Sequence, residues 1–293
     1  MGSFPTMREP NPQAGFGRGC ETACAPRKKS ATAANLARRH RALQEELDGL
    51  KREHDELRRT MFEGAQVQRM LCGPRHLRRE SFEMATEIFP VRHVSGDFIS
   101  TFEAGDDLVF AIGDIAGKGL AAAMWVPHLL GLLRLHAGGD PAATMFAVNR
   151  DLCQTGLNPP LTTLFLARVN VGSGKLTYCN AGHPPSLLLG RDGQAEMLAQ
   201  GGPLLGAVVG AGFRNGESIL NPGDTLWGYS DGVLECRNPE GQEFGIEGVA
   251  AAARQLPHAP PSAALFSVLA AAEDFAREHP REDDMAMVVV RRS

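Results

Sequence analysis

Aspartates beside glycine or serine mark four places in this sequence where chemistry could occur. They are Asp97 in Ser-Gly-Asp, Asp114 in Gly-Asp, Asp231 in Ser-Asp-Gly, and the adjacent pair Asp283 and Asp284. Clustered carboxylates repel one another and are stabilised by cations between them. Oxygen ligands suit magnesium or manganese, and two such ions can share a carboxylate, activate a water molecule and hold a phosphate oxygen. Taken singly, each aspartate is more typical of a turn or a helix cap, but together they favour a metal site.

The segment 113–119, Gly-Asp-Ile-Ala-Gly-Lys-Gly, joins an apolar strand pattern at 108–112 to an apolar helix pattern at 120–136. Glycines allow positive φ and a close approach of the backbone to a ligand. A carboxylate beside such a turn can hold a cation together with a turn carbonyl oxygen. A structural strand–turn–helix corner with a surface aspartate is the alternative. The segment does not match a phosphate-binding P-loop, because its first two glycines are too close and no Ser or Thr follows Lys118.

Short apolar and alternating runs predict β-strands through most of the chain after residue 80. The predicted strands cover 82–88, 97–103, 108–112, 163–170, 175–179, 186–189, 194–198, 213–220, 225–229 and 285–290. Helices are predicted over 120–136, from Asp140-Pro141 to about 153, and near 246–254 and 262–278. Short turns between consecutive strands predict antiparallel meanders. The fold class is therefore α+β, a sandwich of two mainly antiparallel β-sheets flanked by helices.

The N-terminal part of the chain has a different pattern. Along residues 33–61, apolar residues and two histidines form a heptad seam of Leu36, His40, Leu43, Leu47, Leu50, His54, Leu57 and Met61. Such a narrow seam favours a parallel coiled coil and thus a homodimer, and a single helix packed on its own domain is the alternative. Residues 1–30, rich in Gly, Pro and charge, predict a disordered tail. The predicted domains are this tail, a coiled-coil or linker helix at 31–72, and a globular domain at 73–293.

Composition argues against several classes of function. The 293 residues carry a net charge of -4, which provides no general attraction to nucleic acid. The sequence contains no apolar run long enough to span a bilayer, and its N-terminus lacks the apolar core of a secretory signal. Six scattered cysteines indicate a reducing cytoplasm. Cys20 and Cys24 lack the second pair of ligands that a zinc site needs.

Seven segments, in one order, resemble the bacterial metal-dependent protein phosphatases (PPM family), in the branch of the sporulation phosphatase SpoIIE and the RsbU-like regulators of sigma factors. The segments are 95–98 (SGDF), 113–119 (GDIAGKG), 180–185 (NAGHPP), 203–206 (PLLG), 223–224 (GD), 229–235 (YSDGVLE) and 283–285 (DDM). The resemblance extends over residues 65–292. It implies the PPM phosphatase fold for the globular domain.

The resemblance also implies a hydrolase, a serine/threonine phosphoprotein phosphatase that uses two manganese or magnesium ions. Its implied partner is a phosphorylated anti-anti-sigma protein of STAS type, and its reaction is in-line attack by metal-activated water without a phospho-enzyme. In this match Asp114 bridges the ions, Asp231 binds the second ion, and Asp283 or its neighbour supplies the last ligand. The implied catalytic residues are Asp97, Asp114, Asp231 and Asp283, and the implied metal ligands are these four with the carbonyl of Ile115 and with Asp284.

Two departures from the family pattern bear on activity. Lys118 stands where this branch usually has His, and Ala116 stands where it usually has Ser. Lys118 is a candidate phosphate-binding residue that acts as a point charge, and an idle surface lysine is the alternative. The departures support a second hypothesis, a catalytically weak phosphatase-like scaffold that binds a regulatory partner. A small-molecule phosphatase of the same fold is a third, but the complete set of aspartates favours an active protein phosphatase.

Four further residues close to these segments have competing interpretations. For His183, in the Asn-Ala-Gly-His-Pro-Pro turn, a structural hydrogen bond is favoured over a role as general acid. Glu235 either orients a neighbour or is simply exposed. Met124 and Trp125, on the helix after the metal loop, are predicted to be core residues rather than substrate contacts.

Overall fold

The computed structural model describes residues 28–156, 158–277 and 279–293. The predicted tail, up to residue 27, and both Cys20 and Cys24 lie outside the described residues. Residues Glu56–Ser293 form one compact unit, and the preceding residues belong to a second unit. The boundary between the units falls inside the first helix, α1 (Lys28–Cys72). All the candidate site residues therefore lie in the unit Glu56–Ser293.

The described residues form six helices and twelve strands. The helices after α1 are α2 (Leu120–His136), α3 (Pro141–Cys153), α4 (Asp231–Leu234), α5 (Gly245–Arg254) and α6 (Pro261–Ala276). The first six strands are β1 (His76–Arg79), β2 (Phe82–Phe89), β3 (Asp97–Ala104), β4 (Asp107–Ile115), β5 (Thr162–Asn170) and β6 (Lys175–Ala181). The other six are β7 (Ser186–Leu189), β8 (Ala195–Leu198), β9 (Gly201–Gly202), β10 (Gly216–Ile219), β11 (Thr225–Tyr229) and β12 (Met285–Arg292).

The strands form two sheets. One has the order β1-β2-β12-β11-β7-β8, and the other has the order β10-β6-β5-β4-β3. Neighbours in both sheets pair antiparallel, and the short β9 adds a parallel pairing to β6. This confirms the predicted α+β sandwich of two mainly antiparallel sheets with helices.

The core lies between the sheets and under the helices. Ile112 on β4 and Val288 on β12 are fully buried in the cluster that the two sheets share. Met287 and Val289 belong instead to the cluster that β12 forms with α5 and α6. Both faces of β12 are thus covered, which explains why its sequence is a continuous apolar run rather than an alternating one. A third cluster buries α2 and α3 against the outer face of the other sheet, with Val126 as one of its fully buried members.

Most predicted elements are present, and the differences have local causes. The strand predicted over 213–220 shrinks to β10, because only four of its residues pair with β6. Strand β1 was not predicted, since its His-Leu-Arg-Arg sequence is mostly polar and it forms by pairing with β2. The predicted helix start at Asp140 is confirmed, because Asp140 Oδ1 accepts a hydrogen bond from the Ala143 N–H at 2.9 Å.

Along α1, the leucines of the predicted seam are exposed among the described residues. Leu36, Leu43, Leu50 and Leu57 are between 55% and 71% exposed. The coiled coil itself stays a prediction. Within the described residues, no helix combines the length and apolarity that crossing a membrane requires.

Candidate metal centre

The candidate aspartates come from four strand ends that meet at one end of the sandwich. Asp97 begins β3, and Asp114 lies opposite it near the end of β4, so the two form a cross-strand pair. Asp231 is the first residue of α4, directly after β11. Asp283 and Asp284 come just before β12, which pairs with β11. Each sheet therefore contributes aspartates from two adjacent strands.

The carboxylates of three of these aspartates lie near one another. One carboxylate oxygen from each of Asp97, Asp114 and Asp231 lies within 4.8 Å of the other two. Asp97 is only 3% exposed, and among the described residues its Oδ2 has no hydrogen-bond partner. A buried carboxylate oxygen without a donor is unfavourable, and a cation would satisfy it. The all-oxygen donor set fits magnesium or manganese.

Burial and mutual repulsion change the acidity of this cluster. Burial, and then the charge of Asp114, raise the pKa of Asp97 well above its usual range. Burial, and then the charge of Asp231, raise the pKa of Asp114 to about 6. The pKa of Asp231 is also raised, first by burial and then by Asp283. Each carboxylate thus disfavours a second negative charge nearby, which a bound cation would reverse.

The two adjacent aspartates before β12 have different surroundings. Asp284 Oδ1 accepts a hydrogen bond from the Val91 N–H at 2.7 Å. Its Oδ2 accepts hydrogen bonds from Ser95 Oγ at 2.7 Å and from the Gly96 N–H at 3.2 Å. The Asp284 carboxylate is therefore occupied in holding the segment 91–96, which leads into Asp97. Asp283 instead accepts hydrogen bonds from Lys118 Nζ at 2.7 Å and from the Asp284 N–H at 3.0 Å. Because its partners are an exposed lysine and its own neighbour, Asp283 stays the candidate ligand of the two.

Two glycines of the loop after β4 adopt the backbone conformation expected from sequence. Gly117 has φ of 117° and Gly119 has φ of 76°, and L-residues with a side chain rarely adopt such values. The loop is tied to its neighbour by the Ala116 N–H, which donates to the Leu161 carbonyl at 2.8 Å. The loop thus turns the chain from the Asp114 strand directly into α2.

A cavity of about 300 Å³ opens beside the cluster. It is lined by Asp114, Lys118, Asp283 and parts of the segment 91–96. Lys118 Nζ donates a hydrogen bond to Asp283 Oδ2 at 2.7 Å. Arg92 also lines this cavity, and its side chain forms no ion pair or hydrogen bond with the other described residues. Arg92 was not among the residues predicted from the sequence, although a basic residue so close before Asp97 is a signal for an anion-binding group.

His183 has a structural environment, as the sequence analysis favoured. It is 4% exposed, and its backbone N–H donates a hydrogen bond to Asn180 Oδ1 at 2.8 Å. Its Nδ1 lies 2.9 Å from Thr163 Oγ1, and that hydroxyl accepts a hydrogen bond from the Asp114 N–H at 3.3 Å. His183 therefore supports the strand that carries Asp114.

The prediction for Met124 was wrong. Met124 is 68% exposed, because it lies on the outer side of α2, whereas Ala123 and Val126 on the same helix are buried. Trp125 is half-buried and packs against the third core cluster, in line with its predicted core position. Glu235 is exposed.

Comparisons with known proteins agree with the fold. A family model described as stage II sporulation protein E (SpoIIE) matches residues 104–293. The phosphoserine phosphatase RsbU of Bacillus subtilis is 28% identical over 181 residues, which cover 60% of this chain and 54% of that protein. The chain spans about half the length, or less, of the curated relatives it matches.

Solved structures with the same fold include two from other bacteria. The SiaA-PP2C domain of Pseudomonas aeruginosa superposes with a TM-score of 0.70 at 21% identity, covering 82% of this chain and 99% of that one. The RsbU and RsbW domains of a Mycobacterium tuberculosis protein give a TM-score of 0.61 at 27% identity, covering 72% of this chain and 60% of that one. The globular unit therefore has the PP2C phosphatase fold.

Proposed function

The chain belongs to the SpoIIE family, and on that premise we propose that it is a metal-dependent serine/threonine phosphoprotein phosphatase. The observation that carries this proposal is the cluster of Asp97, Asp114 and Asp231, whose carboxylate oxygens lie within 4.8 Å of one another. Three carboxylates so close together, one of them buried with an unpartnered oxygen, need positive charge between them. Paired strands hold Asp97 and Asp114, and the first turn of α4 holds Asp231.

In this proposal, two magnesium or manganese ions are held by four aspartates and one backbone oxygen. These ligands are Asp97, Asp114, Asp231, Asp283 and the carbonyl of Ile115. When bound, the ions would activate a water molecule and neutralise the negative charge on the phosphoryl oxygens.

Other residues of the site position the ligands and the substrate. Asp284 keeps the segment 91–96 in place through its three hydrogen bonds. Arg92 and Lys118 line the cavity beside the cluster, where they would face the negatively charged phosphoryl group.

The proposed substrate is a phosphorylated anti-anti-sigma protein of STAS type, and the proposed setting is a cytoplasmic partner-switching pathway. Similarity to a phosphoserine phosphatase supports the choice of a phosphoserine or phosphothreonine protein. The structural neighbour in which RsbU and RsbW domains occur together supports the choice of pathway. A homodimer through residues 33–61 belongs to the same proposal, and the exposed leucines of α1 support it.

Asp114→Asn tests the metal-centred mechanism. We expect the wild type to hydrolyse a small aryl phosphate in the presence of manganese, and the variant to lose at least about 100-fold in rate, because it loses a bridging charge. Asp192→Asn is the matched control. Asp192 lies in the turn between β7 and β8, where its Oδ1 accepts a hydrogen bond from the Gln194 N–H, and we expect full activity from this variant. Equal activity of Asp114→Asn and the wild type would contradict the proposal.

The alternative is a weak phosphatase-like scaffold, and the Lys118–Asp283 ion pair is the observation that favours it. A scaffold would bind manganese and a phosphorylated partner without releasing phosphate. Phosphate release from a phosphorylated STAS-type protein, measured with metal bound, separates the two functions. Partner binding without turnover would support the scaffold.

A further inference from the structure

Lys118 forms an ion pair with one of the proposed metal ligands. Its Nζ lies 2.7 Å from Asp283 Oδ2 and also donates to the Glu282 carbonyl at 3.2 Å. The two residues are 165 positions apart in sequence. Lys118 follows β4 in one sheet, and Asp283 precedes β12 in the other, so the pair bridges the two sheets beside the cavity.

The ion pair makes the charge distribution of the cluster uneven. Among the described residues, Asp283 alone of the four proposed catalytic aspartates forms a salt bridge. The charge of Lys118 also acts on Asp231, whereas among the described residues Asp97 and Asp114 form no salt bridge and Asp97 Oδ2 has no hydrogen-bond partner. One end of the cluster therefore lacks a cation, whereas the other end already holds the ammonium group of Lys118.

An ammonium group and a divalent ion would compete for the same carboxylate oxygen. They repel each other at separations of a few ångströms, and a metal at Asp283 therefore requires Lys118 to move away. Lys118 is 59% exposed and Asp283 is 46% exposed, so water screens their attraction and the lysine can leave at small cost. The expected consequence is weaker metal binding at Asp283 rather than a block.

We propose that Lys118 is an internal competitor for the cation at Asp283, so that the two metal positions of the centre differ in affinity. This inference rests on the proposed function, since it assumes the metal centre described above. The ion that has Asp283 as a ligand binds at a higher metal concentration than the other ion, because Lys118 must first leave Asp283. Lys118 thereby sets the metal concentration at which the centre is complete.

Manganese titrations of the metal-free full chain test this inference, with isothermal calorimetry for affinity and electron paramagnetic resonance for the number of bound ions. In the wild type we expect one tight and one weak site. Lys118→Met removes the competing charge, and we expect its weak site to become about tenfold tighter while the tight site stays unchanged. Lys118→Arg retains the charge and is expected to resemble the wild type.

Lys175→Met is the matched control, because Lys175 is similarly exposed and pairs with Glu217 at 2.9 Å on a strand outside the site. We expect both of its manganese affinities to match the wild type. An unchanged weak site in Lys118→Met, or an equal change at both sites, would overturn the inference.

Asp114→Asn separates failure of the inference from failure of the proposed function. Loss of tight binding in Asp114→Asn, with no effect of Lys118→Met on the weak site, overturns the role of Lys118 alone. Tight binding that survives in Asp114→Asn, or no binding in the wild type, overturns the metal centre and the inference with it.

Discussion

Two buried ionisable side chains near the proposed metal centre, Asp97 and His183, have different surroundings. Asp97 and His183 are both buried, and each has one side-chain atom without a hydrogen-bond partner among the described residues. The unpartnered atom of Asp97 belongs to a carboxylate cluster, which makes it a candidate for cation binding. The unpartnered Nε2 of His183 lies in a neutral, buried ring. Because burial disfavours the charged form, it raises the pKa of Asp97 and lowers the pKa of His183.

His183 is expected to make the stability of the protein depend on pH. Burial lowers the pKa of His183 to about 3, whereas an unfolded histidine titrates near 6.5. Between these pKa values the unfolded state binds more protons than the folded state, so the free energy of unfolding falls as pH falls. The loss attributable to His183 between pH 7 and pH 4 is about 3 kcal/mol. Urea unfolding of the metal-free protein across this range measures it.

The comparison with His183→Gln isolates this contribution from that of the carboxylates, which titrate in the same range. We expect the variant to be less stable at pH 7, because it loses the contact with Thr163, but to show a smaller fall in stability towards pH 4. His258→Gln, at an exposed position, is the control and should follow the wild type. Parallel curves for His183→Gln and the wild type would contradict the prediction.

At the scale of elements, the segment 91–96 is held between α1 and the start of β12. Gln68 on α1 donates through Nε2 to the Ser95 carbonyl at 2.7 Å and accepts from the Ser95 N–H at 3.3 Å. From the other side, Asp284 accepts hydrogen bonds from Ser95 and Gly96. Since Asp97 follows directly, the position of this proposed ligand depends on both elements.

Gln68→Ala is expected to loosen this segment without unfolding the domain. The variant loses two hydrogen bonds to the backbone of Ser95, which corresponds to about 1 kcal/mol of local stability. We therefore expect hydrogen exchange of the Ser95 and Gly96 amides to become roughly fivefold faster. Gln66→Ala, at an exposed position two residues earlier on α1, should leave these rates unchanged. Equal exchange in both variants would show that Asp284 alone holds the segment.

At the scale of the whole molecule, the proposed homodimer depends on the leucines of α1, which are exposed among the described residues. Leu43 and Leu50 are 58% and 57% exposed. A heptad seam of this kind is buried when two parallel helices associate. The proposed homodimer would thus join two chains through residues that lie before the phosphatase domain.

Replacing both Leu43 and Leu50 by Asp is expected to convert the dimer to a monomer, because four charges would enter the seam of each dimer. Sedimentation equilibrium measures the change. Arg52→Asp, on the same helix but outside the heptad seam, is the control and should remain dimeric. A wild type that is monomeric at micromolar concentration would contradict the proposed dimer.

The sequence by itself determined the features that depend on neighbouring residues. Alternating apolar residues indicated most strands, Asp140 before Pro141 indicated a helix start, and glycines beside Asp114 indicated the turn that leads from β4 into α2. Each of these patterns depends on residues that are close in sequence. The alternation of apolar residues that predicts the strands of both sheets is local in the same sense. The resemblance to a phosphatase family rested on the order of these local segments.

Only the tertiary structure decided the features that depend on contacts between distant segments. Asp283 and Asp284 are indistinguishable in sequence, and their surroundings differ because Asp284 meets the segment 91–96, nearly 190 residues away. Lys118 acquired Asp283 as its partner in the same way. Met124 is exposed because no element covers that side of α2 in the described chain. Side-chain chemistry is local, but the choice of a partner depends on how the two sheets bring their strand ends together.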